Sequence, residues 1–541
     1  MNAPFRSFAS LSEAAGVLFE LPPGPYRAES AAFIGKDAAR NLLGLVCFSA
    51  SETPPCTALV NDAPANVLFA RSFSLSLARE GELFAHILWT ACDASFRSAT
   101  LRDANGNYIP IFYNGTEMFS LDAKRLHTPR PAPRKPRWVW LLSLLCRVSA
   151  LPRLLRLIGR KKYSGCWLFA DRGFMADDNA EHLYRWVMRH HPEQKIFFAL
   201  HKNSPDWPRL EREGFNLLHI EGMEYRAAYC NCAWLLSSQR TGYITKHYWR
   251  RWHADIARPR FCFLQHGVSM NYMPRFNQPH ADMLIGVAMR ECEAFARDPR
   301  FPYVYSGREV RLTGFPRHDE LLRKAAAVPT PRDILVMPSW RHTMAPKQTR
   351  DGQFIYREGF TNSGFFLRWQ ALLQSPRLLA AANRYGYRVR FYPHPHLRPQ
   401  LHHFQLGGIT VVPEAGASVQ NMLANAALLL TDYSSIAMET AILRRPVLYF
   451  QFDRESFFNE NRGQGRGKGY FDYEKDGFGE VVTEEEELCA LLERHMRNGC
   501  RMDEVYRRRA DAFFAFNDTR NCVRVYEALR AMEKPAQNTI L

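Results

Sequence analysis

The sequence predicts an α/β protein of two doubly wound lobes preceded by a small β-rich module. Three observations lead there. From Gly165 onward, short apolar runs alternate with amphipathic stretches at helical spacing. That alternation runs through twice, and upstream of it apolar residues instead recur at every second position. The divisions drawn are residues 1–128 for the β-rich module, 129–163 for a basic linker, 164–328 for the first lobe and 329–541 for the second. A chain of 541 residues has room for three or four units of ~150 residues each. Hydrophobic residues at 46% and charged residues at 23% exclude a disordered chain and a multi-span membrane protein.

In the first unit Phe73, Leu75 and Leu77 alternate with serines, and Leu83 to Trp89 forms a second run. Phe96–Leu101 and Tyr108–Tyr113 flank Asn105-Gly106, a pair suited to a tight hairpin, so residues 25–122 read as a sandwich. Asn114-Gly115-Thr116 reads as a turn. Met1 to Arg6 do not lead into the apolar core of a secretory signal, and no run reaches the ~18 apolar residues that span a bilayer, so a cytoplasmic location is expected. The 12 cysteines are scattered, and Cys230 and Cys232 lack a second pair at zinc-site spacing. Reduced, buried thiols are expected.

The formal charge of +17 is concentrated. Ala123 to Ala170 contains no Asp or Glu but carries Arg147, Arg153, Arg156, Arg160, Lys161 and Lys162 among its basic residues. Prolines at 129, 131, 133 and 136 favour extended chain, Trp138 to Leu145 is aromatic and leucine-rich, and Leu151, Leu154, Leu155 and Ile158 then recur at helical spacing. Two readings stand: a helix lying in an anionic headgroup layer, or an amphipathic helix packed on a neighbouring domain with its arginines in water. No nucleic-acid reader motif accompanies the charge, so no nucleic-acid partner is expected.

The first lobe opens with a strand at Trp167–Ala170, a helix at Asn179–His190 and strands at Lys195–Leu200 and Ala233–Ser237. Phe261 to Leu264 then delivers Gln265-His266-Gly267 at a strand's carboxyl end, where ligands bind in parallel sheets. His266 reads either as a proton acceptor or as a structural histidine bonding the turn, and Gly267 lets the backbone come close to a bound group. Thr313-Gly314-Phe315-Pro316-Arg317-His318-Asp319 closes the lobe and presents Arg317.

The second lobe repeats the design at Met337-Pro338-Ser339-Trp340-Arg341 and at Tyr392-Pro393-His394-Pro395. Ala427 to Thr440 reads as strand, turn and helix, with Asp432 capping a helix from Tyr433 and Ser434 and Ser435 offering hydroxyls in its first turn. The feature is either a phosphate cradle or an ordinary capped helix. Glycine-rich Asn461–Glu480, with Arg466 and Lys468, reads as a mobile loop. Gly469 after Lys468 rules out a Walker loop.

These strand-end motifs, in this order, resemble the CDP-glycerol glycerophosphotransferase family of teichoic-acid and capsule polymerases over residues 165–480, and Asp178-Asn179 fits as well. The resemblance implies a GT-B architecture, two Rossmann-like lobes facing a cleft, and peripheral attachment to the cytoplasmic face of the membrane, where a lipid-linked or polymer acceptor sits. It implies His266 as general base and Arg317, Pro338, Ser339, His394, Ser434 and Ser435 as nucleotide-diphosphate ligands. Gly267, Arg341, Tyr392 and Pro393 complete the expected site, with His394 also assigned to catalysis. Where the family often has Thr-Pro after His-Gly, this chain has Val268-Ser269, and the family's aspartate on the cradle helix is Glu439, a carboxylate long enough to reach ribose hydroxyls.

The expected reaction is attack of an acceptor hydroxyl on the β-phosphorus of CDP-glycerol or CDP-ribitol with release of CMP. No cofactor or metal is expected. The alternatives are a GT-B glycosyltransferase using a nucleotide sugar and a non-enzymatic membrane-surface scaffold. Two histidines at strand ends argue against the scaffold.

Overall fold

A computed structural model describes residues 7–8, 31–37, 42–51, 56–65, 67–77, 81–91, 97–103, 105–109, 111–113, 116–118, 121–122, 151–245, 259–277, 280–341, 347–348, 354–355, 359–412, 418–460 and 469–533. The proline-rich and Trp138–Leu145 parts of the linker, and Arg466 and Lys468, lie outside them.

The amino-terminal module is a sandwich of two mostly antiparallel sheets. One has seven strands in the spatial order Ser7–Phe8, Val67–Leu77, Gly81–Ala91, Leu42–Ser49, Ala31–Asp37, Ile111–Tyr113 and Thr116–Met118. The other has four: Leu121–Asp122, Ser98–Asp103, Cys56–Val60 and Ala63–Pro64. Leu43, Leu45 and Leu88 of the first pack on Ala58, Ala99 and Leu101 of the second. The Asn105-Gly106 turn forms, with Asp103 N donating to Asn107 O at 2.9 Å and Gly106 at φ +85°. The run expected to continue to Tyr113 does not stay in that hairpin. It pairs with Leu101 and Arg102 up to Ile109 and then crosses, so that Ile111–Tyr113 joins Ala31–Asp37 in the other sheet.

The first lobe is a parallel seven-stranded sheet in the order Leu217–His219, Ile196–Leu200, Trp167–Ala170, Trp234–Ser237, Arg260–Phe263, Met283–Gly286 and Val310–Leu312. Its central strands are buried on both faces, which explains their unbroken apolar sequence. The second lobe is a parallel six-stranded sheet: Thr410–Val411, Arg388–Phe391, Asp333–Val336, Ala426–Thr431, Val447–Phe450 and Gly479–Val482. In both sheets the strand order reverses at one point, between Trp167–Ala170 and Trp234–Ser237 in the first lobe and between Asp333–Val336 and Ala426–Thr431 in the second. Such switch points open a crevice at the carboxyl ends.

Three further elements differ from expectation. Residues 329–541 do not all stay with the second sheet. The Asn521–Glu533 helix returns to the first lobe, where Trp167 Nε1 donates to Glu533 Oε1 at 2.8 Å and the amides of Asn521 and Cys522 donate to Asp319 at 2.9 Å. Gly314, at φ +74°, leaves room for this helix, since a Cβ there would lie 2.1 Å from Asn521 Oδ1. The second difference concerns the glycine-rich segment. Its described part, from Gly469, is packed: Arg290 reaches Tyr470 O and Asp476, and a Cβ on Gly469 would meet Met270 O at 1.7 Å. The third concerns the cradle helix, which spans Ile436–Ile442 and does not begin at Tyr433.

The Leu151–Tyr163 helix packs Leu155, Gly159 and Tyr163 toward the Met223–Tyr229 helix. Its Leu154, Leu157 and Ile158 are 50%, 70% and 63% exposed. Among the described residues no helix is long and apolar enough to cross a membrane. Cys47, Cys166, Cys230, Cys232 and Cys262 are free and buried, as are Cys292, Cys489, Cys500 and Cys522.

Candidate functional site

His266 follows the Arg260–Phe263 strand. The preceding residue, Gln265, sits at φ +55°, a left-handed kink that turns the imidazole out of the sheet. The buried Gln265 side chain stabilises the kink by donating to Ile285 O at 2.5 Å, and Asn179 Nδ2 donates to Leu264 O and Gln265 O at 2.9 Å. His266 Nδ1 is hydrogen-bonded to Asp178 Oδ2, which places the ring proton on Nδ1 and leaves the Nε2 lone pair as the proton acceptor. The side chain is 52% exposed.

Asp178 is itself buried, and its Oδ1 accepts from Arg317 Nη1 at 2.5 Å and from Asn179 N at 2.8 Å. Burial opposes its ionisation, but His266 and Arg317 beside it prevail and hold the carboxyl well below the usual range. Arg317 stands at the start of the Pro316–Ala326 helix and bridges the lobes. Beyond Asp178 it bonds His266 O at 2.8 Å and pairs through Nε and Nη2 with Glu439 of the second lobe. Burial disfavours the Arg317 charge, but Glu439 and Asp178 outweigh it. Glu439 responds in kind: burial raises its pKa, yet Arg317 and His318 bring it down to about 2. His318 Nε2 lies 2.7 Å from Glu439 Oε2, too oblique for a hydrogen bond.

On the second lobe, Ser339 N donates to Asp432 Oδ1 at 2.9 Å, joining the two turns at the switch point. Arg341 Nη1 meets Asp432 Oδ2 at 2.9 Å, Nε meets Asp453 Oδ2 at 2.7 Å, and the guanidinium lies about 5 Å from the rings of Phe365, Tyr433 and Phe457. This explains why Asp432 does not cap the Ile436–Ile442 helix. It is fully buried and is the counter-ion of a buried arginine, so its carboxylate is committed to Arg341, Ser339 N and Tyr433 N. Ser434 and Ser435 precede that helix, half-buried. Tyr392 and Pro393 are buried and Pro338 is buried beneath the turn, while half-buried His394 has its ring 6.0 Å from Trp340.

The lobes meet where the motifs do. A Cβ on Gly267 would lie 2.6 Å from Ser435 Oγ, so the glycine after the histidine abuts the serine of the opposite lobe. The structure thus brings together His266, Gly267, Arg317, Ser435 and Glu439, and groups Ser339 with Arg341 through Asp432. Arg317 and Arg341 have their donors occupied by carboxylates and carbonyls, and Glu439 is occupied by Arg317. Sequence reasoning missed Arg172, Asp178 as partner of His266, and Asp453. The signal available was that each follows a predicted or observed parallel strand. Among the described residues, His201–His219–Glu221 and Glu480–His495–Asp503 have metal-ligand composition within 4.8 Å, and neither contains an expected site residue.

Two parallel α/β lobes with a supported histidine facing a serine turn across their switch points define a protein of the GT-B class. Residues 153–531 match the sequence model of the CDP-Glycerol:Poly(glycerophosphate) glycerophosphotransferase family, and the chain belongs to that family. It is 27% identical over 417 residues to the minor teichoic acid biosynthesis protein GgaB of Bacillus subtilis (strain 168), covering 76% of this chain and 44% of that protein. A teichoic acid poly(glycerol phosphate) polymerase of the same strain is 23% identical over 395 residues, 65% of this chain and 48% of the polymerase. The chain spans about half the length of the curated relatives it matches. Among solved structures the wall teichoic acid polymerase TagF aligns with a TM-score of 0.51 at 16% identity, over 75% of this chain and 100% of that one, a likeness of fold.

Proposed function

We propose that this chain transfers an alditol phosphate, from CDP-glycerol or CDP-ribitol, to an acceptor hydroxyl and releases CMP, as a step in making a teichoic-acid-like or capsule polymer. The observation that carries the reading is the Asp178–His266 pair, with Nε2 as proton acceptor, set one residue from the Gly267–Ser435 contact. The acceptor hydroxyl gives its proton to His266 Nε2, its oxygen bonds the β-phosphorus, and the anhydride bond to the α-phosphate breaks. His394, Ser339, Ser434 and Ser435 hold the diphosphate and the charge that builds on departing CMP. Arg317 and Arg341 act from behind. Arg317 aligns the lobes by pairing Asp178 with Glu439, and Arg341 shapes the Ser339–Asp432 turn. Pro338, Tyr392 and Pro393 support these turns, and the proposed step uses protein groups alone.

Peripheral attachment to the cytoplasmic face of an anionic membrane is supported by the Leu151–Tyr163 helix. One face anchors it to the first lobe, while Leu154, Leu157 and Ile158 are exposed beside Arg160, Lys161 and Lys162, a composition suited to a headgroup layer. The experiment that tests the chemistry is identification of the nucleotide released from a CDP-alditol: CMP supports phosphoryl transfer. A nucleoside diphosphate released from a nucleotide sugar, with CDP-alditols untouched, supports the glycosyltransferase reading.

A further inference from the structure

Arg172 lies just beyond the Trp167–Ala170 strand, half-buried, with Nη2 2.6 Å from His266 Nε2. Because Nδ1 of the same ring is committed to Asp178, Nε2 offers the only lone pair, and Arg172 donates into it. A base bonded in this way cannot accept a proton from a hydroxyl. Arg172 also differs from Arg317 and Arg341, for among the described residues it has no carboxylate partner. A guanidinium on a neutral imidazole is held weakly compared with one on a phosphate, which it grips with two charge-assisted hydrogen bonds.

We infer that Arg172 covers the base until an acceptor arrives, and that the phosphate next to the acceptor's reacting hydroxyl draws it away and is held by it. The inference rests on the proposed transferase reading. It assigns to Arg172 two linked tasks: recognition of a phosphate-bearing acceptor, and suppression of attack by water, which can reach the half-exposed His266. In that unwanted reaction the water oxygen would bond the β-phosphorus, the anhydride would break to release CMP, the proton would go to His266, and free alditol phosphate would form.

The surroundings suit a phosphate-bearing chain. Gly173 O accepts from His201 N at 2.7 Å, Phe174 is 55% exposed and stacks on His201 at 4.1 Å, and His201 meets His219 edge-on at 4.8 Å. Nδ1 of His201 accepts from Asn203 N at 3.2 Å and Nδ1 of His219 from Lys202 N at 3.3 Å, which puts both ring protons on Nε2. The two rings therefore offer donors, suited to phosphate oxygens rather than to a metal ion, with exposed Glu221 3.9 Å from His201 Nε2.

The experiment measures CMP release from CDP-glycerol by wild type, Arg172→Gln and Arg172→Lys, with no acceptor, with glycerol, and with glycerol 3-phosphate. Arg172→Gln is expected to raise acceptor-free CMP release severalfold and to raise the KM for glycerol 3-phosphate about tenfold, the loss expected for one charge-assisted contact, without raising the KM for glycerol. Arg172→Lys, which keeps the charge but loses the fork, should fall between. Acceptor-free release and the KM ratio of the two acceptors both at wild-type values in Arg172→Gln would overturn the inference. So would loss of acceptor-free release in a variant that still binds CDP by calorimetry, since an uncovered base should not be slower. Wild-type protein that releases no CMP from CDP-glycerol or from CDP-ribitol with any acceptor overturns the transferase reading and the inference together.

Discussion

Replacing Asp178 with asparagine keeps the side chain's shape and separates its two tasks. Oδ1 must remain an acceptor, because Arg317 Nη1 points at it from 2.5 Å inside a buried site. The new amide NH2 therefore takes the Oδ2 position, facing His266 Nδ1. Two donors cannot share that contact, so once the acceptor has drawn Arg172 off Nε2 the imidazole carries its proton there and loses the lone pair that the reaction needs. A general base contributes on the order of 10²–10⁴ in rate, and kcat for CMP release should fall by a factor in that range. Arg317 keeps Glu439, so the lobes stay joined. The stability cost should be about 1–3 kcal/mol, typical of one compromised buried hydrogen bond, and below the ~3–5 kcal/mol for stranding a buried charge. The assay pairs steady-state CMP release with CDP calorimetry and thermal melting, with histidine nitrogen NMR to report the tautomer. A kcat within about twofold of wild type in a folded Asp178→Asn protein would refute this reasoning.

Three further outcomes follow from the same geometry. Glu439, held at about 2 against an ordinary value of 4.5, contributes stability that is fully present above pH 4.5 and lost as pH falls toward 2. The loss is on the order of 3 kcal/mol, and acid titration of wild type against Glu439→Gln should show a shallower slope in the variant. Ser434→Ala with Ser435→Ala, or His394→Ala alone, should weaken CDP binding by about tenfold, and calorimetry that finds unchanged affinity in both would remove these residues from the nucleotide site. Changing Leu154, Leu157 and Ile158 to serine should cut co-sedimentation with anionic vesicles by at least about tenfold, as should high salt acting on wild type. Indifference to both would favour a helix whose arginines are merely solvated.

The parallel lobes were legible because their strands are short, wholly apolar and separated by amphipathic segments. The Asn179–His190 helix was located to the residue, since Leu183, Tyr184 and Val187 mark its inner face and Asp178 caps its start. Strand-end motifs pointed to the candidate site because a parallel sheet exposes its carboxyl ends. The pairing of charges was not legible. Arg317 lies 139 residues from Asp178 and 122 from Glu439 in sequence, and no local pattern reports contacts that only the docking of two lobes creates. The same blindness misassigned Asp432. Beside Tyr433 and two serines it has the composition of a cap, but the demand of buried Arg341 for a counter-ion outweighs a single helix-capping bond. The return of the Asn521–Glu533 helix to the first lobe was equally hidden, because an amphipathic pattern shows which face is buried without showing against what.

The most direct test of the account follows one phosphate. Given CDP-glycerol or CDP-ribitol labelled at the β-phosphorus and a phosphate-polyol acceptor, the protein should release unlabelled CMP and transfer the label, with its alditol, to the acceptor. Release of labelled CDP, or an acceptor that gains no label while CDP-alditol is consumed, would contradict attack at the β-phosphorus by a hydroxyl that His266 deprotonates.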